Sequence, residues 1–318
     1  MTQKVDIKSL NFKELVAFIE SLGEKAFRAK QIYQWIHEKQ VDSFAEMTNI
    51  SKKFIETLEE HAYLTCLTKE EVQISKLDGT RKYLFLLEDG NVIESVLMRY
   101  KHGNSVCISS QVGCRMGCRF CASTLDGLVR GLTAGEMLDQ IYKIGKDIGE
   151  RISNVVVMGT GEPLDNYDNL VQFIKMLTDE NGLNISQRNV TVSTCGLVPK
   201  MKELADEKLQ ITLALSLHAT TDEKRRRLMP IANKYGIEEL MEACKYYFDK
   251  TGRRLTFEYS LVGGVNDTDE DARELIDLVK PLNCHINLIP VNPIKEREFV
   301  ESNTARVIAF KNKLEKNK

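Results

Sequence analysis

The sequence lacks the long apolar runs of a membrane protein. No stretch approaches the roughly 18 consecutive apolar residues of a transmembrane helix, and the N-terminal MTQKVDIKSLNFKEL has no apolar signal core. It also lacks low-complexity segments and internal repeats, and its 42% apolar residues suffice for a hydrophobic core, which excludes a disordered chain. We therefore expect a folded, cytoplasmic protein with no membrane partner.

The sequence also has little net charge. Its 44 Lys and Arg and 46 Asp and Glu leave a formal charge of −2, which excludes a protein that is basic overall. Local basic patches remain compatible with this balance, because Lys25, Arg28 and Lys30 lie close together, as do residues 224–227. Such patches bind RNA phosphates or are simply solvated faces.

Eight cysteines in 318 residues are the feature that needs an explanation. Disulfide frameworks are rare in a reducing cytoplasm, where clustered cysteines indicate metal or redox chemistry instead. Cys114, Cys118 and Cys121 form such a cluster, with the spacing C-x3-C-x2-C.

The hydrophobic pattern divides the chain into three parts. Residues 1–75 carry apolar side chains at three- and four-residue spacing, which predicts a helical N-terminal domain with an accessory or RNA-binding role. Residues 76–104 alternate as strands around the turn Asp89-Gly90, which predicts a β-hairpin extension. Over residues 105–318 strands and helices alternate, which predicts a parallel sheet with helices outside it.

The third part contains six strand–helix units, so we predict the α/β class and a partial (β/α)6 barrel. The predicted strands are Ser105–Gln111, Asn154–Met158, Arg188–Thr194, Gln210–His218, Arg254–Leu261 and His285–Val291. In barrels of this kind the chemistry occurs at the C-terminal ends of the strands.

The cysteine loop follows the first of these strands. Three thiolates on a short, glycine-containing loop can hold three irons of a [4Fe–4S] cluster. The fourth iron then has no protein ligand and can chelate the amino and carboxylate groups of S-adenosylmethionine (SAM). A structural zinc site, with Cys107 or a histidine as fourth ligand, is the alternative, although zinc sites usually pair two C-x2-C knuckles.

Polar residues at other strand ends are candidates for binding a ligand. Alternation puts Ser216 and His218 on a small, polar face of their strand, and a satisfied core histidine is the other interpretation of His218. Glu162 lies in a glycine-containing turn, where it can accept a hydrogen bond from a ligand ammonium group. Asn287 and Asn292 flank Pro290, and periodicity does not choose between them.

Glu94 is a candidate general base. It shares a strand face with Val92, Val96 and Met98, and a carboxylate among apolar neighbours has the raised pKa that a base working near neutrality needs. A solvent-facing glutamate on an edge strand is the competing interpretation.

Taken together, these motifs resemble the RlmN/Cfr radical SAM RNA methyltransferases over nearly the whole chain. The motifs that carry the resemblance are Cys107-Ile-Ser-Ser-Gln-Val-Gly-Cys114-Arg-Met-Gly-Cys118-Arg-Phe-Cys121, Met158-Gly-Thr-Gly-Glu162-Pro, Ser193-Thr-Cys195-Gly, Leu215-Ser216-Leu217-His218-Ala and Asn287-Leu-Ile-Pro-Val-Asn292-Pro. Ser193-Thr-Cys-Gly and Pro290-Val-Asn-Pro resemble the RlmN branch, which methylates C2 of adenine, rather than the C8-methylating Cfr branch.

The resemblance implies a role for each matching residue. Cys114, Cys118 and Cys121 would hold the [4Fe–4S] cluster. The SAM-binding residues would be Gly161, Glu162, Ser193, Ser216, Leu217, His218 and Asn292. Glu94 would accept the C2 proton, and Cys107 would resolve a covalent enzyme–RNA adduct through a transient disulfide.

The resemblance further implies methylation of an adenosine in 23S rRNA at the peptidyl-transferase centre and of the tRNA adenosine 3′ to the anticodon. An electron donor of the flavodoxin or ferredoxin type would reduce the cluster. The family's methyl-carrying cysteine lies in a C-terminal Ala-Cys-Gly-Gln motif, which these 318 residues do not contain. Two alternatives to a methyltransferase therefore stay open. One is an RNA- or ribosome-binding protein without methyl transfer, and the other is a radical SAM enzyme that acts on a small molecule.

Overall fold

The computed structural model describes residues 4–317 and divides the chain into two compact units. Unit 1 comprises Met1–Val112, Gly131–Thr160 and Asn166–Val190. Unit 2 comprises Gly113–Arg130, Gly161–Asp165 and Thr191–Lys318.

Unit 1 begins with a helical module. Its elements are β1 (Val5–Asp6), α1 (Phe12–Ser21), α2 (Ala26–His37), α3 (Lys52–His61) and β2 (Ala62–Tyr63). The helices form where the spacing predicts them, because apolar residues such as Leu15, Ile19 and Ile32 recur on one face and are fully buried. Asn11 and Glu14 start α1 with reciprocal hydrogen bonds to main-chain N–H groups.

Four antiparallel strands follow the module. They are β3 (Thr68–Ile74), β4 (Arg81–Leu86), β5 (Val92–Tyr100) and β6 (Gly103–Cys107). β3 lies within the range to which the sequence pattern assigned helices. The residues of this strand are mostly exposed, so its sequence carries neither a helical nor a strand-like apolar face.

In the rest of unit 1, one parallel strand lies between two helices in the order of the chain. The short strands β7 (Gln111–Gly113) and β8 (Leu128–Gly131) come first in sequence, and residues 113–130 belong to unit 2. Unit 1 then continues with α4 (Ala134–Ile148), β9 (Ile152–Val157) and α5 (Tyr167–Leu177). β9 pairs in parallel with β6, and the strand order in unit 1 is β9-β6-β5-β4-β3. β6 ends at Cys107, four residues before the predicted end at Gln111.

Unit 2 continues the strand–helix alternation. Its elements are β10 (Val190–Thr194), α6 (Val198–Asp206), β11 (Thr212–Ser216), α7 (Asp222–Leu228), α8 (Ile237–Thr251), β12 (Leu255–Leu261), α9 (Asp269–Val279), β13 (Cys284–Pro290) and α10 (Thr304–Glu315). The four strands are parallel in the order β10-β11-β12-β13. The predicted parallel strands are therefore present, with helices between them.

The two faces of β11 differ as alternation predicts. Leu213 and Leu215 are fully buried, whereas Thr212 and Ser216 on the opposite face are partly open. This polar face, together with the strand ends, provides the setting for the candidate site in unit 2. Across residues 4–317, no helix has both the length and the apolar character needed to cross a bilayer.

Candidate functional site

The cysteine loop of unit 2 is shaped by glycine. Gly113 has a φ of +73°, and a Cβ added there would lie 2.0 Å from the carbonyl oxygen of Gly127. The next residue, Cys114, donates its main-chain N–H to the same oxygen at 2.8 Å. A side chain at position 113 would therefore break the close approach that positions the first thiol.

The other two thiols are fixed by main-chain bonds. The N–H of Arg119 donates to the carbonyl oxygen of Leu228 at 2.8 Å, and that of Cys121 donates to Cys118 at 3.1 Å. The hydroxyl of Thr124 donates to the carbonyl oxygens of both cysteines. The loop is thus held by main-chain hydrogen bonds within it, by the hydroxyl of Thr124 and by the carbonyl oxygen of Leu228 on α7.

Burial keeps the first two thiols of the loop protonated. It raises the pKa of Cys114 to about 11 and that of Cys118 to about 12. Neighbouring thiols of the loop, Cys121 among them, raise both pKa values further because adjacent thiolates repel each other. A positively charged group beside Cys114 and Cys118 would favour their thiolate forms.

The arrangement fits the cluster that the sequence predicts. In the described part of the chain, no three His, Cys, Asp or Glu side chains converge on a single point as they do around one ion. A [4Fe–4S] cluster binds each thiolate through a different iron, so three thiols spread over one loop suit it. Burial of Cys114 and Cys118 supplies the water-poor surroundings of such a cluster.

Glu162 lies close to this loop in the chain's second unit and is almost fully buried. One carboxylate oxygen accepts the N–H of Leu164 at 3.0 Å, and the other accepts the N–H of Cys195 at 2.7 Å. Burial raises the pKa of this carboxyl, and the main-chain donors oppose that rise. Glu162 therefore connects its turn to the end of β10 and presents a carboxylate there.

His218 is held just beyond β11 in a left-handed conformation, with a φ of +56°. Its Nδ1 accepts the N–H of Ser260 at 2.9 Å, and Asn266 donates to its carbonyl oxygen at 2.6 Å. Burial, and then the charge of Arg225, lowers the pKa of His218 to about 3. The ring is thus neutral, with its proton on Nε2, and it stands edge-to-face with Phe120 at 4.8 Å between centroids.

The buried carboxyl of Glu258 on β12, which is paired with the exposed amide of Asn287 on β13, was not predicted from the sequence. The amide of Asn287 donates to the carboxylate of Glu258 at 2.8 Å, and burial raises the pKa of that carboxyl. The main-chain oxygen of Glu258 accepts the N–H groups of Leu217 and His218. Alternation in Leu-Thr-Phe-Glu-Tyr-Ser-Leu, which puts Glu258 on a face with Thr256 and Ser260, is the signal that could have found it.

The remaining candidates of unit 2 lie at strand ends or in the turn. Ser193 of β10 and Ser216 of β11 are half-buried on their strands, and Leu217 is fully buried. Gly161 has a φ of +108° in the turn that contains Glu162. Asn292 is exposed just beyond β13, whereas Asn287 is engaged with Glu258.

Glu94 and Cys107 belong to unit 1. The expected apolar shielding of Glu94 is wrong, because the buried face of β5 carries Ile93 and Leu97. Glu94 lies on the open face, its side chain is half-exposed, and it forms an ion pair with Lys82 at 3.1 Å. Burial raises the pKa of Cys107 to about 11, and the main-chain N–H of Met158 opposes this effect.

Only part of the basic run at residues 224–227 lies on the surface of the protein. Arg225 is fully buried, and Lys224 pairs with the buried Asp271 at 2.7 Å. Arg115 of the cysteine loop is exposed but forms a two-pronged ion pair with Asp165. Arg225 therefore belongs neither to an RNA-binding patch nor to a solvated face, the two interpretations that the sequence left open for this run.

Two known families match different stretches of the chain. Residues 5–64 match the family of the ribosomal RNA large subunit methyltransferase N-terminal domain, and residues 108–279 match the radical SAM superfamily. The second match spans more than half of the chain and contains the cysteine loop, Glu162 and His218. The expected cofactors of this fold, a [4Fe–4S] cluster and SAM, follow from that membership.

Relatives match over nearly the full length. The chain is 68% identical to the probable dual-specificity RNA methyltransferase RlmN of Lachnospira eligens over 98% of this chain and 89% of the relative. It is 60% identical to the protein with the same description from Lachnoclostridium phytofermentans, over 100% of this chain and 89% of that one. The crystal structure of a radical SAM methyltransferase from Sphaerobacter thermophilus matches with a TM-score of 0.94 and 40% identity, over 98% of this chain and 93% of that one. These matches confirm the predicted α/β radical SAM fold, and the chain belongs to the RlmN family of radical SAM RNA methyltransferases.

Proposed function

We propose that this protein methylates C2 of adenine in 23S rRNA at the peptidyl-transferase centre and in tRNA next to the anticodon. The observation that carries the proposal is the grouping of the C-x3-C-x2-C loop, Glu162 and His218 in one compact unit of an RlmN-family chain. C2 of adenine is electrophilic, so it does not attack SAM as a nucleophile does. Radical chemistry supplies the route that ordinary methyl transfer lacks.

The residues of unit 2 would hold the reactants. Cys114, Cys118 and Cys121 would ligate the cluster, which when bound supplies the electron that cleaves SAM to a 5′-deoxyadenosyl radical. Glu162 would accept the SAM ammonium group, because its carboxylate is fixed by the main chain of Leu164 and Cys195.

The polar strand ends would bind the rest of SAM. The neutral ring of His218 would donate through Nε2, since Nδ1 is occupied by Ser260. Further SAM contacts would come from Gly161, Ser193, Ser216, Leu217 and Asn292.

Unit 1 would act on the RNA. Glu94 would take the C2 proton, and its half-exposed position leaves the carboxylate accessible to a nucleotide. The thiol of Cys107 would resolve the covalent RNA adduct by forming a disulfide that is later reduced. We also propose a helical RNA-binding domain at 1–75, a hairpin extension at 76–104 and the radical SAM domain at 105–318, working in the cytoplasm with a flavodoxin- or ferredoxin-type donor.

The test is anaerobic reconstitution with iron and sulfide, followed by incubation with SAM, a reductant and RNA. The protein is joined to a C-terminal Ala-Cys-Gly-Gln segment from an RlmN relative, so that the family's methyl-carrying cysteine is present. A 23S rRNA fragment and a tRNA serve as separate substrates. We expect mass spectrometry to detect 5′-deoxyadenosine and 2-methyladenosine.

Two cysteine variants provide matched controls. Cys118→Ser removes a loop thiol and is expected to abolish both products, whereas Cys244→Ser removes a buried thiol outside the loop and is expected to retain them. A colourless protein that retains zinc would refute the cluster. A brown protein that cleaves SAM but leaves both RNAs unmodified would refute the proposed substrate.

A further inference from the structure

Three consecutive arginines on the short helix α7 occupy very different surroundings. Arg226 and Arg227 are exposed, whereas Arg225 is among the largest fully buried side chains of the described chain, at 0% exposure. A buried guanidinium stays charged at neutral pH and is costly unless an anion compensates it. The burial of the Arg225 charge therefore needs a physical explanation.

The hydrogen bonds of Arg225 all go to main-chain oxygens at strand ends. Its Nη2 donates to the carbonyl oxygens of Cys195 at 2.7 Å and Ser216 at 3.3 Å, and its Nε donates to that of Leu217 at 3.2 Å. These contacts hold the guanidinium behind the ends of β10 and β11, where the proposed SAM-binding residues lie.

No carboxylate neutralises this charge. Over residues 4–317, no Asp or Glu oxygen lies within ion-pair distance of Arg225, and its buried Nη1 has no hydrogen-bond partner. Asp222 on the same helix pairs with Arg226 instead, at 3.8 Å. The guanidinium of Arg225 is therefore buried without a directly paired carboxylate in the described part of the chain.

Arg225 is connected to the cysteine loop through its packing neighbours. Its Nη2 donates to the carbonyl oxygen of Cys195, and Cys195 belongs to the same buried cluster as Cys118. Leu228, one turn further along α7, accepts the N–H of Arg119 and packs with Cys118 in one apolar cluster. Helix α7 is therefore directly attached to the cysteine loop.

We propose that Arg225 is a positioning residue whose buried charge compensates the negative charge of the iron–sulfur cluster and its thiolates, and so makes the cluster easier to reduce. Reduction adds an electron to an anionic assembly, and a fixed cation close to it favours the reduced form. This inference rests on the proposed cluster ligands Cys114, Cys118 and Cys121, but not on the identity of the RNA.

The test is the midpoint potential of the reconstituted cluster, measured by electron paramagnetic resonance during a redox titration without RNA. Arg225→Gln removes the charge and keeps an N–H donor. We expect its equilibrium constant for one-electron reduction to fall about tenfold, which is a shift of about 59 mV to lower potential. Arg225→Lys keeps the charge and is expected to remain close to the wild-type potential.

Other variants separate charge from folding. Arg227→Gln, on the exposed side of the same helix, is the matched control and is expected to leave the potential unchanged. Cys244→Asp places a carboxylate at a buried position that senses the charge of Arg225. A carboxylate there would oppose the positive charge of Arg225, so we expect a fall in potential even if Arg225→Gln does not fold.

Iron content and SAM affinity are measured on every variant. If no variant or wild-type protein binds iron, the proposed cluster site has failed rather than the role of Arg225. Unchanged potentials in Arg225→Gln and Cys244→Asp at full iron content would overturn the inference. Equal shifts in the Lys and Gln variants, or a loss of SAM affinity with an unchanged potential, would overturn it as well.

Discussion

At the scale of single residues, the site depends on side chains that bind backbone rather than one another. Glu162 accepts N–H groups from Leu164 and from Cys195, which lie more than 30 residues apart. Its carboxylate thereby fixes the turn after β9 to the end of β10, because only an ionised carboxyl offers two acceptor oxygens without a donor.

Glu162→Gln tests this arrangement. The amide retains one acceptor but turns an NH2 donor toward the other N–H group, so a buried donor loses its partner. We expect a loss of roughly 1–3 kcal/mol in the free energy of unfolding and weaker SAM binding. Denaturant unfolding of the cofactor-free protein measures the first effect, and calorimetric titration with SAM measures the second.

A control glutamate lies on the surface of α6. Glu203 pairs with Lys200 at 2.6 Å, and both side chains are largely exposed. Glu203→Gln is expected to change stability by no more than about 1 kcal/mol. Equal stability and SAM affinity in Glu162→Gln and Glu203→Gln would contradict the role of the buried carboxylate.

Single residues also show how much of the site could be predicted from the sequence. Cysteine spacing and strand alternation predicted the main candidates of the site, and the structure groups them in unit 2. These candidates are Cys114, Cys118, Cys121 and the polar face of β11. The shielding expected for Glu94 was wrong, because period-2 alternation gives two faces and does not say which one is buried. Arg225 was missed because a run of basic residues is typical of a solvated helix, and only tertiary packing reveals the buried member.

At the scale of elements, a buried ion pair joins the N-terminal module to α4 within unit 1. Lys8 and Asp139 lie 2.7 Å apart, and each side chain is about 1% exposed. The second carboxylate oxygen of Asp139 accepts the N–H of Leu67 at 2.7 Å. The pair thus connects three segments that are distant in sequence.

Asp139→Asn tests the strength of this connection. Removing one partner leaves the ammonium group of Lys8 buried and uncompensated, so we expect a loss of roughly 3–5 kcal/mol in the free energy of unfolding. The double variant Lys8→Met with Asp139→Leu removes both charges and is expected to recover much of that loss. Thermal unfolding followed by calorimetry would contradict the prediction if the single variant were as stable as the wild type.

Element prediction succeeded where an element has one apolar face. The helices α1, α2 and α3 and the parallel strands satisfy this condition. β3 does not, because its residues are mostly exposed and three of the seven are charged, and it is ordered by pairing with β4. α7 is short and rich in charge, so its sequence has too little apolar periodicity to indicate a helix.

At the scale of the whole molecule, two buried histidines make stability depend on pH. Burial lowers the pKa of His37 and of His218 to about 3, with the charges of Lys8 and Arg225 adding to the effect. His37 bonds to the hydroxyl of Tyr142 at 2.8 Å through Nδ1, and His218 accepts from Ser260. Both rings are therefore neutral in the folded protein but titrate near their ordinary pKa of about 6.5 when it unfolds.

The sign of the pH effect follows from proton binding. Between pH 6.5 and 3 the unfolded chain binds protons at both histidines and the folded protein does not, so stability falls as the pH falls. Each histidine contributes up to about 1.4 kcal/mol per pH unit well below 6.5, which gives about 2.8 kcal/mol per pH unit for the two together. We expect the unfolding temperature of the cofactor-free protein to fall steadily from pH 7 to pH 5. His37→Gln should reduce that dependence by about half. Calorimetric scans at several pH values provide the measurement, and the same pH dependence in His37→Gln as in the wild type would show that the buried ring is not the group that binds the proton on unfolding.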